Sequence, residues 1–349
     1  MLVTSGAEGR QLEEPRVRYL GLEMISEPVK PHLLKLEEFM WHQVEAFEPE
    51  IRDLVGYCLK NSGKRIRPIL LFYSGWNGDG RVSDDLIKAS AVIEFVHLAT
   101  LVHDDILDRA TLRHNDSTVA KRFGPEVAVL LGDALFSQAL KLAADFPFVE
   151  VCREVSRATR RVCAGEIAQT FERGNAEIGI HDYLRIIDLK TAELFRVSCF
   201  LGARLGGYHD AFTKAVAAFG RYLGMAYQIY DDCADFTGNE DRIGKTLGTD
   251  IASGKVTLPV IYLLQALDPP ARSSFLEEVQ AGDPNDVSNL TRDMVECGAL
   301  EKARELFIEH VTMGEDALAG FHDLAPVGKL LEISDFVRRR IPEPLAGCR

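Results

Sequence analysis

Residues 83–109 read SDDLIKASAVIEFVHLATLVHDDILDR, a stretch that contains neither proline nor glycine. Ser83 and the two aspartates after it form a plausible N-cap region, so the stretch predicts one helix of roughly 40 Å. Three carboxylates, those of Asp104, Asp105 and Asp108, lie at its C-terminal end. The stretch therefore predicts a long helix that delivers a cluster of acidic side chains.

Helical spacing continues through most of the chain. Apolar residues recur three or four positions apart, as at Leu33, Leu36 and Met40, and no alternating strand pattern competes with them. We therefore predict an all-α fold, a bundle of about ten or more helices. No linker or internal repeat divides the 349 residues, so we expect a single domain over residues 26–349 after a flexible segment at residues 1–25.

The composition is acidic, which bears on the class of protein. Lys and Arg number 40 against 53 Asp and Glu, and the net charge of −13 argues against a nucleic-acid surface. The N-terminal segment contains no apolar run, so we expect no signal peptide, no transmembrane segment and a cytoplasmic protein. The seven cysteines form no CxxC pair, which indicates reduced thiols that pack in the core, Cys233 among them.

The acidic cluster of residues 104–108 has a counterpart with the same spacing, Asp231, Asp232 and Asp235. In a helix the first and last aspartates of each cluster share one face and lie roughly 6 Å apart along the axis. Carboxylate oxygens suit Mg²⁺, which normally completes its octahedron with waters and phosphate oxygens. Two helices could present these clusters from opposite walls of one cavity, so the pair predicts a magnesium site for a diphosphate.

Separate islands of positive charge accompany the carboxylates. A single lysine in a glycine-containing loop is usually a solvated surface residue, and an aspartate pair at a helix end is usually a cap or an ion-pair partner. The combination and order of the islands is what points to a function. They are Gly63–Pro68 (GKRIRP), Arg109 with Arg113, Lys190–Thr191, Gly244–Lys245 and Gly254–Lys255.

Taken in order, these motifs resemble those of the trans-type isoprenyl diphosphate synthases, and more particularly the polyprenyl synthase branch, from about Lys30 to Pro259. The resemblance implies an α-helical fold around a central active-site cavity, a homodimer, and head-to-tail condensation of isopentenyl diphosphate with an allylic diphosphate. It also implies Mg²⁺ as the cofactor, about three ions per site with substrate bound. The matching elements are GKRIRP at residues 63–68, Glu94–His97 before the first DDxxD, Lys190–Thr191, Tyr227–Asp232, and the Gly-Lys pairs at Lys245 and Lys255.

The resemblance also implies roles for single residues. The six aspartates of the two clusters would hold Mg²⁺ and the allylic diphosphate, whose departure leaves a carbocation. Thr191 and Gln228 would stabilise that cation through their oxygen dipoles. Isopentenyl diphosphate would bind without metal, and the released diphosphate would take the final proton. Further donors to the allylic diphosphate are Arg113, Lys190, Lys245 and Lys255, and the residues implied for isopentenyl diphosphate are Lys64, Arg67 and His97.

Two histidines near the first aspartate cluster, His97 and His103, could either serve the site or simply pack in the core. A lone histidine on an apolar helix is more often a hydrogen-bonded core residue than a ligand, but the place of His97 in Glu94–His97 favours substrate binding. For His103, beside the first aspartate cluster, support of the cluster and simple packing both remain open.

The chain departs from the family pattern after the first aspartate cluster. The family usually has a doubled arginine followed by Gly-Lys, whereas this chain has Arg113, His114, Asn115 and Asp116. The position associated with isopentenyl diphosphate is thus His114, whose charge is only partial near neutral pH. We expect weaker or pH-sensitive binding of that substrate.

The residues beneath the first cluster bear on product length. Helical geometry places Thr100 and Ala99 about one turn deeper than Asp104, with Val96 on the next turn. An aromatic side chain there would stop elongation early, so these small residues favour a polyprenyl product of about twenty carbons or longer. Phe136 on a later helix is a candidate floor of the cavity.

Other functions fit parts of the pattern. A class I terpene cyclase ionises the same kind of substrate, but it commonly replaces the second DDxxD and would not need GKRIRP. A non-catalytic subunit of a heteromeric prenyl synthase usually loses carboxylates that this chain keeps. A plain helical structural protein explains the apolar periodicity but not the order of the charged motifs.

Overall fold

The computed structural model describes residues 23–60, 63–113, 116–237, 248–280 and 287–340. The described part of the chain is almost entirely helical, which confirms the predicted all-α fold. Its first half contains eight helices: α1 (Glu23–Ser26), α2 (Lys30–Val44), α3 (Pro49–Lys60), α4 (Ile66–Ser74), α5 (Asp84–Leu107), α6 (Val119–Phe123), α7 (Pro125–Ala144) and α8 (Val149–Phe171).

The second half continues the bundle. A π-helical segment, Asp188–Ala192, joins α9 to α10 and is called the π turn below. Short 3₁₀ turns cover Glu27–Val29 and Ala319–Phe321, and two strands, β1 (Leu112–Arg113) and β2 (Asp116–Ser117), pair antiparallel. The helices are α9 (Ile180–Ile187), α10 (Glu193–Leu205), α11 (Asp210–Thr237), α12 (Thr249–Ala252), α13 (Leu258–Ala266), α14 (Pro269–Gln280), α15 (Val287–Glu296), α16 (Ala299–Ala317) and α17 (Ala325–Arg338).

Helix α5 forms where the proline-free stretch predicts it. The Ser83 side chain accepts a hydrogen bond from the Leu86 amide, as an N-cap does. The helix ends at Leu107, because Asp108 is its C-cap and Arg109 turns into the left-handed region with φ 51°. Most of its side chains are buried, so α5 is a core helix whose last turn carries the first aspartate cluster.

Helix α11 carries the second aspartate cluster near its C-terminal end. It continues through the second aspartate cluster to Thr237, so this cluster lies within the helix. It packs on α10 and α16, while α5 packs on α7, α4 and α2. The two acidic clusters are thereby held on separate core helices.

The core has a large part and a small part. The large one spans α2 to α11 and reaches α16 and α17. The small one joins the end of α11 to α12, α13, α15 and the start of α16, around Phe236, Leu264 and Met294. The single-domain arrangement over residues 26–349 stays a prediction, and residues 1–22 of the N-terminal segment lie outside the described residues.

Two helices, α5 and α7, are long and apolar enough to cross a membrane by length and composition alone. Core helices of soluble proteins pass the same test, and 72% of the relevant window of α5 is buried inside the protein. The window of α7 is only 44% buried, so one side of this helix is open. The absence of a transmembrane segment stays a prediction.

Candidate active site

The three aspartates of the first cluster differ in their exposure to solvent. Asp104 and Asp108, one turn apart, are both partly accessible, whereas Asp105 is buried. The Arg113 guanidinium, on β1, donates to both Asp105 oxygens, with distances of 2.7 Å from Nη2 to Oδ1 and 3.1 Å from Nε to Oδ2. Asp105 therefore holds the Arg113 side chain beside the first aspartate cluster.

Lys190 connects the first cluster to α8. Its Nζ lies 3.6 Å from Asp104 Oδ2, donates to Gln169 Oε1 at 2.8 Å, and forms an ion pair with Glu166. Burial raises the pKa of Asp104 to about 6; Lys190 opposes this rise and Glu166 adds to it. Two carboxylates, those of Asp104 and Glu166, therefore share the Lys190 ammonium group.

Asp108 receives two cations from other parts of the fold. Lys255 Nζ lies 2.6 Å from Asp108 Oδ2, and Arg173 Nη2 lies 2.6 Å from Asp108 Oδ1. The loops that carry these two residues are joined by a hydrogen bond from the Gly174 amide to the Gly254 carbonyl. Lys255 is thereby brought to the first cluster, although it follows the second cluster in the sequence.

The second aspartate cluster is also partly committed to the protein. Asp232 is buried and accepts hydrogen bonds from the Tyr183 hydroxyl at 2.6 Å and from Gln228 Nε2 at 2.8 Å. The Thr191 hydroxyl donates in turn to Gln228 Oε1 at 2.7 Å. Burial and then the charge of Asp250 raise the pKa of Asp232. Thr191 is thus connected to the second cluster, as Lys190 is to the first.

The other two aspartates of this cluster differ in their surroundings. Asp235 accepts from the Thr249 hydroxyl and from the Asp250 amide, both at 3.1 Å, and so holds the start of α12. Asp231 is partly accessible, and its charge raises the pKa of the Tyr227 phenol and opposes the lowering of the Lys64 and Arg67 pKa values. Asp231 therefore faces the side of the cavity where GKRIRP lies.

Arg67 and His97 meet at that side. Arg67 Nη1 lies 3.0 Å from His97 Nε2, and the guanidinium stacks 5.0 Å from the centre of the Phe195 ring. Burial lowers the pKa of Arg67, although Glu94 and Asp231 counteract it. Burial, followed by the charge of Arg340 at the end of α17, lowers the pKa of Lys64. Two of the residues predicted to bind isopentenyl diphosphate, Arg67 and His97, are thus in contact, and Lys64 shares with Arg67 the influence of Asp231.

Arg65 has a different role in the same segment. Its side chain is only 2% exposed and pairs with Glu37 of α2, at 2.7 Å, and with Glu94 of α5. Its backbone adopts a left-handed conformation with φ 54°, which is unfavourable for a residue with a Cβ. Two buried ion pairs hold this turn, so Lys64 and Arg67 project from a fixed support.

His103 packs against α7 and not against the aspartates. Its Nε2 lies 3.0 Å from the Val129 carbonyl oxygen, and its ring fills space that a Cβ at Gly132 would enter, 2.1 Å from Nε2. These contacts favour the packing interpretation of His103. Cys233 is likewise buried in the core, 3% exposed, as a free thiol.

One pocket contains part of the predicted site, on the side of the second aspartate cluster. Its apolar wall includes Ile178, Ile186 and Val256. Five predicted site residues line it: Lys190, Thr191, Gln228, Asp232 and Lys255. The structure therefore brings together residues that are scattered over the sequence.

The remaining predicted residues fall into three groups. Thr100 is partly accessible, and its hydroxyl donates to the His97 carbonyl, whereas Ala99 and Val96 are buried in the core. Phe136 lies against the ring of His103, 5.8 Å between centroids. Lys245 and His114 lie outside the described residues.

Four site residues were not identified from the sequence: Glu166, Gln169, Arg173 and Tyr183. Glu166 and Gln169 stand one turn apart on α8, and Arg173 follows the same helix. That polar spacing is a signal, but it is equally typical of a solvated helix face. Tyr183 belongs to no sequence motif. It is a site residue only because the fold brings its hydroxyl to Asp232.

The donors suit a hard divalent cation that substrate helps to bind. Among the described residues, no three His, Cys, Asp or Glu side chains converge closely enough to hold a metal by themselves. The accessible oxygens of Asp104, Asp108 and Asp231 are the ligand type that Mg²⁺ takes, together with phosphate oxygens. The residues therefore fit a metal that bridges protein and diphosphate.

Comparison with known proteins identifies a matching family and several similar proteins. The family model described as polyprenyl synthetase matches residues 48–296. The chain is 38% identical over 231 residues to heptaprenyl diphosphate synthase component 2 of Bacillus subtilis (strain 168), covering 66% of each chain. It is 32% identical to a geranylgeranyl pyrophosphate synthase of Geoglobus acetivorans, covering 91% of this chain and 99% of the relative.

A solved structure shares the fold at a TM-score of 0.83. It is the polyprenyl synthase from Caulobacter crescentus CB15, complexed with calcium and isoprenyl diphosphate, which is 27% identical to this chain. The match covers 95% of this chain and 100% of that one. The divalent metal and the diphosphate in that complex are the ligand types that the aspartate clusters fit.

Proposed function

The chain belongs to the polyprenyl synthetase family, and on that basis we propose how its described residues carry out prenyl transfer. It is a polyprenyl diphosphate synthase, which condenses isopentenyl diphosphate head to tail with an allylic diphosphate. One observation carries the proposed mechanism. The adjacent residues Lys190 and Thr191 connect to the two aspartate clusters, Lys190 directly to Asp104 on α5 and Thr191 through Gln228 to Asp232 on α11, so we propose that both clusters act on one diphosphate.

The metal is proposed to be Mg²⁺, held by the accessible aspartates Asp104, Asp108 and Asp231. When bound, it would neutralise the charge that develops on the departing diphosphate. Asp105, Asp232 and Asp235 are engaged by protein donors, so we propose that they orient neighbouring groups. Direct ligation by these three, and three ions per site, stay predictions.

Cationic side chains of the chain itself support the leaving group. Lys190 and Lys255 now pair with Asp104 and Asp108, and each can donate to a diphosphate that enters between them. Arg113 is pre-oriented by Asp105, while Arg173 adds a further donor beside Asp108. The Thr191 and Gln228 oxygens lie next to this group and offer dipoles to the allylic cation.

Isopentenyl diphosphate binds on the opposite side, in this proposal, through Lys64, Arg67 and His97. Arg67 is partly buried, and burial lowers its pKa, so its interaction with an anionic oxygen is stronger than at a fully exposed site. Arg65, Glu37 and Glu94 fix the segment that carries these cations. The attacking double bond would therefore arrive from the wall that α4 and the middle of α5 form.

Product length follows from the face of α5 below Asp104. Thr100 is the small residue that remains accessible on this face, so we propose that the growing chain passes it. Products of twenty carbons or more agree with the names of the relatives, geranylgeranyl and heptaprenyl synthases. The exact carbon number depends on the floor of the cavity, for which Phe136 stays a candidate.

We propose a homodimer formed through α7 and α8. Large apolar side chains are exposed on these two helices, among them Leu130 at 68%, Ile167 at 55% and Phe171 at 81%. Exposed apolar faces of this kind are typical of subunit interfaces. A cytoplasmic location is also proposed, on the sequence alone.

The decisive assay supplies the purified chain with Mg²⁺, isopentenyl diphosphate and allylic primers of increasing length, and identifies the products by mass spectrometry. Diphosphates that grow in five-carbon steps are expected. Cyclic hydrocarbon as the main product would instead identify a cyclase. No turnover by the chain alone, with turnover on adding a second component, would identify a heteromeric subunit.

A further inference from the structure

The π turn that carries Lys190 and Thr191 is acidic at both of its ends. Asp188 is its first residue, and Glu193 follows it as the first residue of α10. Both carboxylates are largely buried, Glu193 at 1% and Asp188 at 13% side-chain exposure. Buried carboxylates are stable in the folded protein only when charged or polar partners face them.

One arginine of α8 bridges the two ends. Arg161 Nη2 lies 3.2 Å from Asp188 Oδ2, and Arg161 Nε lies 2.8 Å from Glu193 Oε2. The remaining oxygens also have cationic partners, since Arg221 of α11 reaches Asp188 Oδ1 and Arg196 reaches Glu193 Oε1 at 2.7 Å. Arg161 is the only one of these arginines that contacts both ends.

The spacing of the two carboxylates makes this bridge selective. Asp188 and Glu193 are five positions apart, and in an α-helix they would lie about 140° apart around the axis. A π-helix bonds residue i to residue i+5, which brings such a pair onto nearly the same face. A single planar guanidinium with a fixed fork of donors can then reach both carboxylates.

Two glycines show how tightly neighbouring helices hold the turn. A Cβ at Gly165 of α8 would lie 2.6 Å from the Lys190 amide nitrogen. A Cβ at Gly224 of α11 would lie 2.7 Å from the Ala192 Cα. Backbone therefore approaches backbone on two sides, and the turn has no room to relax into another register without moving α8 or α11.

We propose that Arg161, Asp188 and Glu193 form a positioning unit that holds the helix in its π register. This proposal rests on the proposed function, because the groups that it positions are Lys190 and Thr191. In this register the two adjacent residues contact different walls, Lys190 towards Asp104 on α5 and Thr191 towards Gln228 on α11. Loss of the bridge releases the register and misdirects both side chains.

The first test compares Arg161→Ala with Arg204→Ala. Arg204 is a matched control, since it also pairs with two carboxylates, Glu150 and Asp210, and is similarly exposed, but it lies at the far end of α10. Arg161→Ala should lower kcat about 10- to 100-fold, as a misplacement near 1 Å can. Its KM for isopentenyl diphosphate should stay within about twofold, because Lys64 and Arg67 lie on another wall.

A combined substitution separates positioning from general destabilisation. In a background that carries both Lys190→Ala and Thr191→Ala, Arg161→Ala should lower kcat by less than about threefold, because the two side chains that it positions are already gone. Additive losses, or equal losses of kcat in Arg161→Ala and Arg204→Ala, would overturn the proposal.

Amide hydrogen exchange tests the same unit without turnover. Exchange at residues 189–193 should accelerate in Arg161→Ala and not in Arg204→Ala. Should Arg161→Ala not fold, Arg161→Lys replaces it, since one ammonium lacks the fork that spans both carboxylates. Wild-type exchange and wild-type kcat in Arg161→Lys would refute the bridge. Absence of prenyl transfer by the wild type would instead refute the proposed function and leave the exchange test intact.

Discussion

At the scale of single residues, Tyr183 shows how the protein prepares a carboxylate before substrate arrives. Its hydroxyl donates to Asp232 at 2.6 Å, and burial raises the pKa of both groups. Tyr183→Phe leaves a buried carboxylate oxygen without this donor, which costs about 1–3 kcal/mol of unfolding free energy. It should also lower kcat about tenfold, because Gln228 and Thr191 lose a fixed partner.

The measurement is denaturant unfolding together with steady-state kinetics. Tyr208→Phe is the control, since its hydroxyl donates to the Trp76 carbonyl away from the site. An equal loss of kcat in both variants would show that Tyr183 matters only for folding.

His114 yields a pH prediction. Histidine has a pKa near 6.5, so the side chain is mostly charged at pH 6 and mostly neutral at pH 8. If it contacts isopentenyl diphosphate, the KM for that substrate should rise several-fold from pH 6 to pH 8. In His114→Arg the KM should be lower at pH 8 and nearly constant. Identical profiles for wild type and variant would rule out a role for His114 in binding this substrate.

Thr100 offers a test of the elongation path. Thr100→Phe should shorten the main product by one or more five-carbon units, because an aromatic ring on this accessible face narrows the path below Asp104. Val149→Phe places the same ring at a position that is 71% exposed and serves as the control. Ala99→Phe stays a prediction of shortening as well, although Ala99 is fully buried and this variant carries a larger folding risk. An unchanged product spectrum in Thr100→Phe would place the path elsewhere.

The sequence alone showed which charged residues belong to the candidate site. A site that binds a diphosphate through metal needs both carboxylates and cationic side chains, and their types and order along the chain are visible in the sequence. The division within each cluster was not predictable. Asp105 and Asp232 differ from their neighbours only through their partners: Arg113, which the sequence identified as a donor to diphosphate and not as a partner of Asp105, and Tyr183, which is distant in sequence and lacks a motif. Glu166 was missed for the same reason, since only the fold places it beside Lys190.

At the scale of helices, periodicity predicted α5 well and the region around Lys190 poorly. A helix without breakers is a local property that Ser83 and apolar spacing already determine. The π turn depends on Arg161 from another helix and on the close approach of Gly165, so no local pattern reveals it. The last turn of α11 likewise relies on the packing of Phe236 in the smaller core.

The crossing of α4 and α10 gives the prediction at this scale. A Cβ at Gly202 would lie 2.2 Å from the Leu71 carbonyl oxygen, a backbone atom that cannot move aside. Gly202→Ala should therefore destabilise the protein by about 3 kcal/mol, the upper part of the range for overpacking. Gly328→Ala, on the open side of α17 with nothing within 4 Å, should stabilise it by about 0.5–1 kcal/mol. Thermal and denaturant unfolding measure both, and equal stabilities would contradict the close contact.

At the scale of the whole molecule, the open side of α7 and the exposed apolar residues of α8 make the oligomeric state the main question. The relative from Bacillus subtilis is named as component 2 of a heptaprenyl diphosphate synthase, so a different partner is a real alternative to a second copy. An interface between identical chains repeats each residue twice about a twofold axis. A single substitution therefore acts twice in a homodimer and once in a heteromeric complex.

Leu130→Glu tests this arrangement. Burying an unpaired carboxylate in an apolar interface costs about 2 kcal/mol or more at each of the two positions, so the dimer should weaken about a thousandfold. Light scattering after size exclusion should then give a dimer for the wild type and a monomer for Leu130→Glu. Met313→Glu, at an exposed apolar position of α16, is the matched control and should remain dimeric. A monomeric wild type would exclude the homodimer, and a Leu130→Glu dimer would place the interface away from α7.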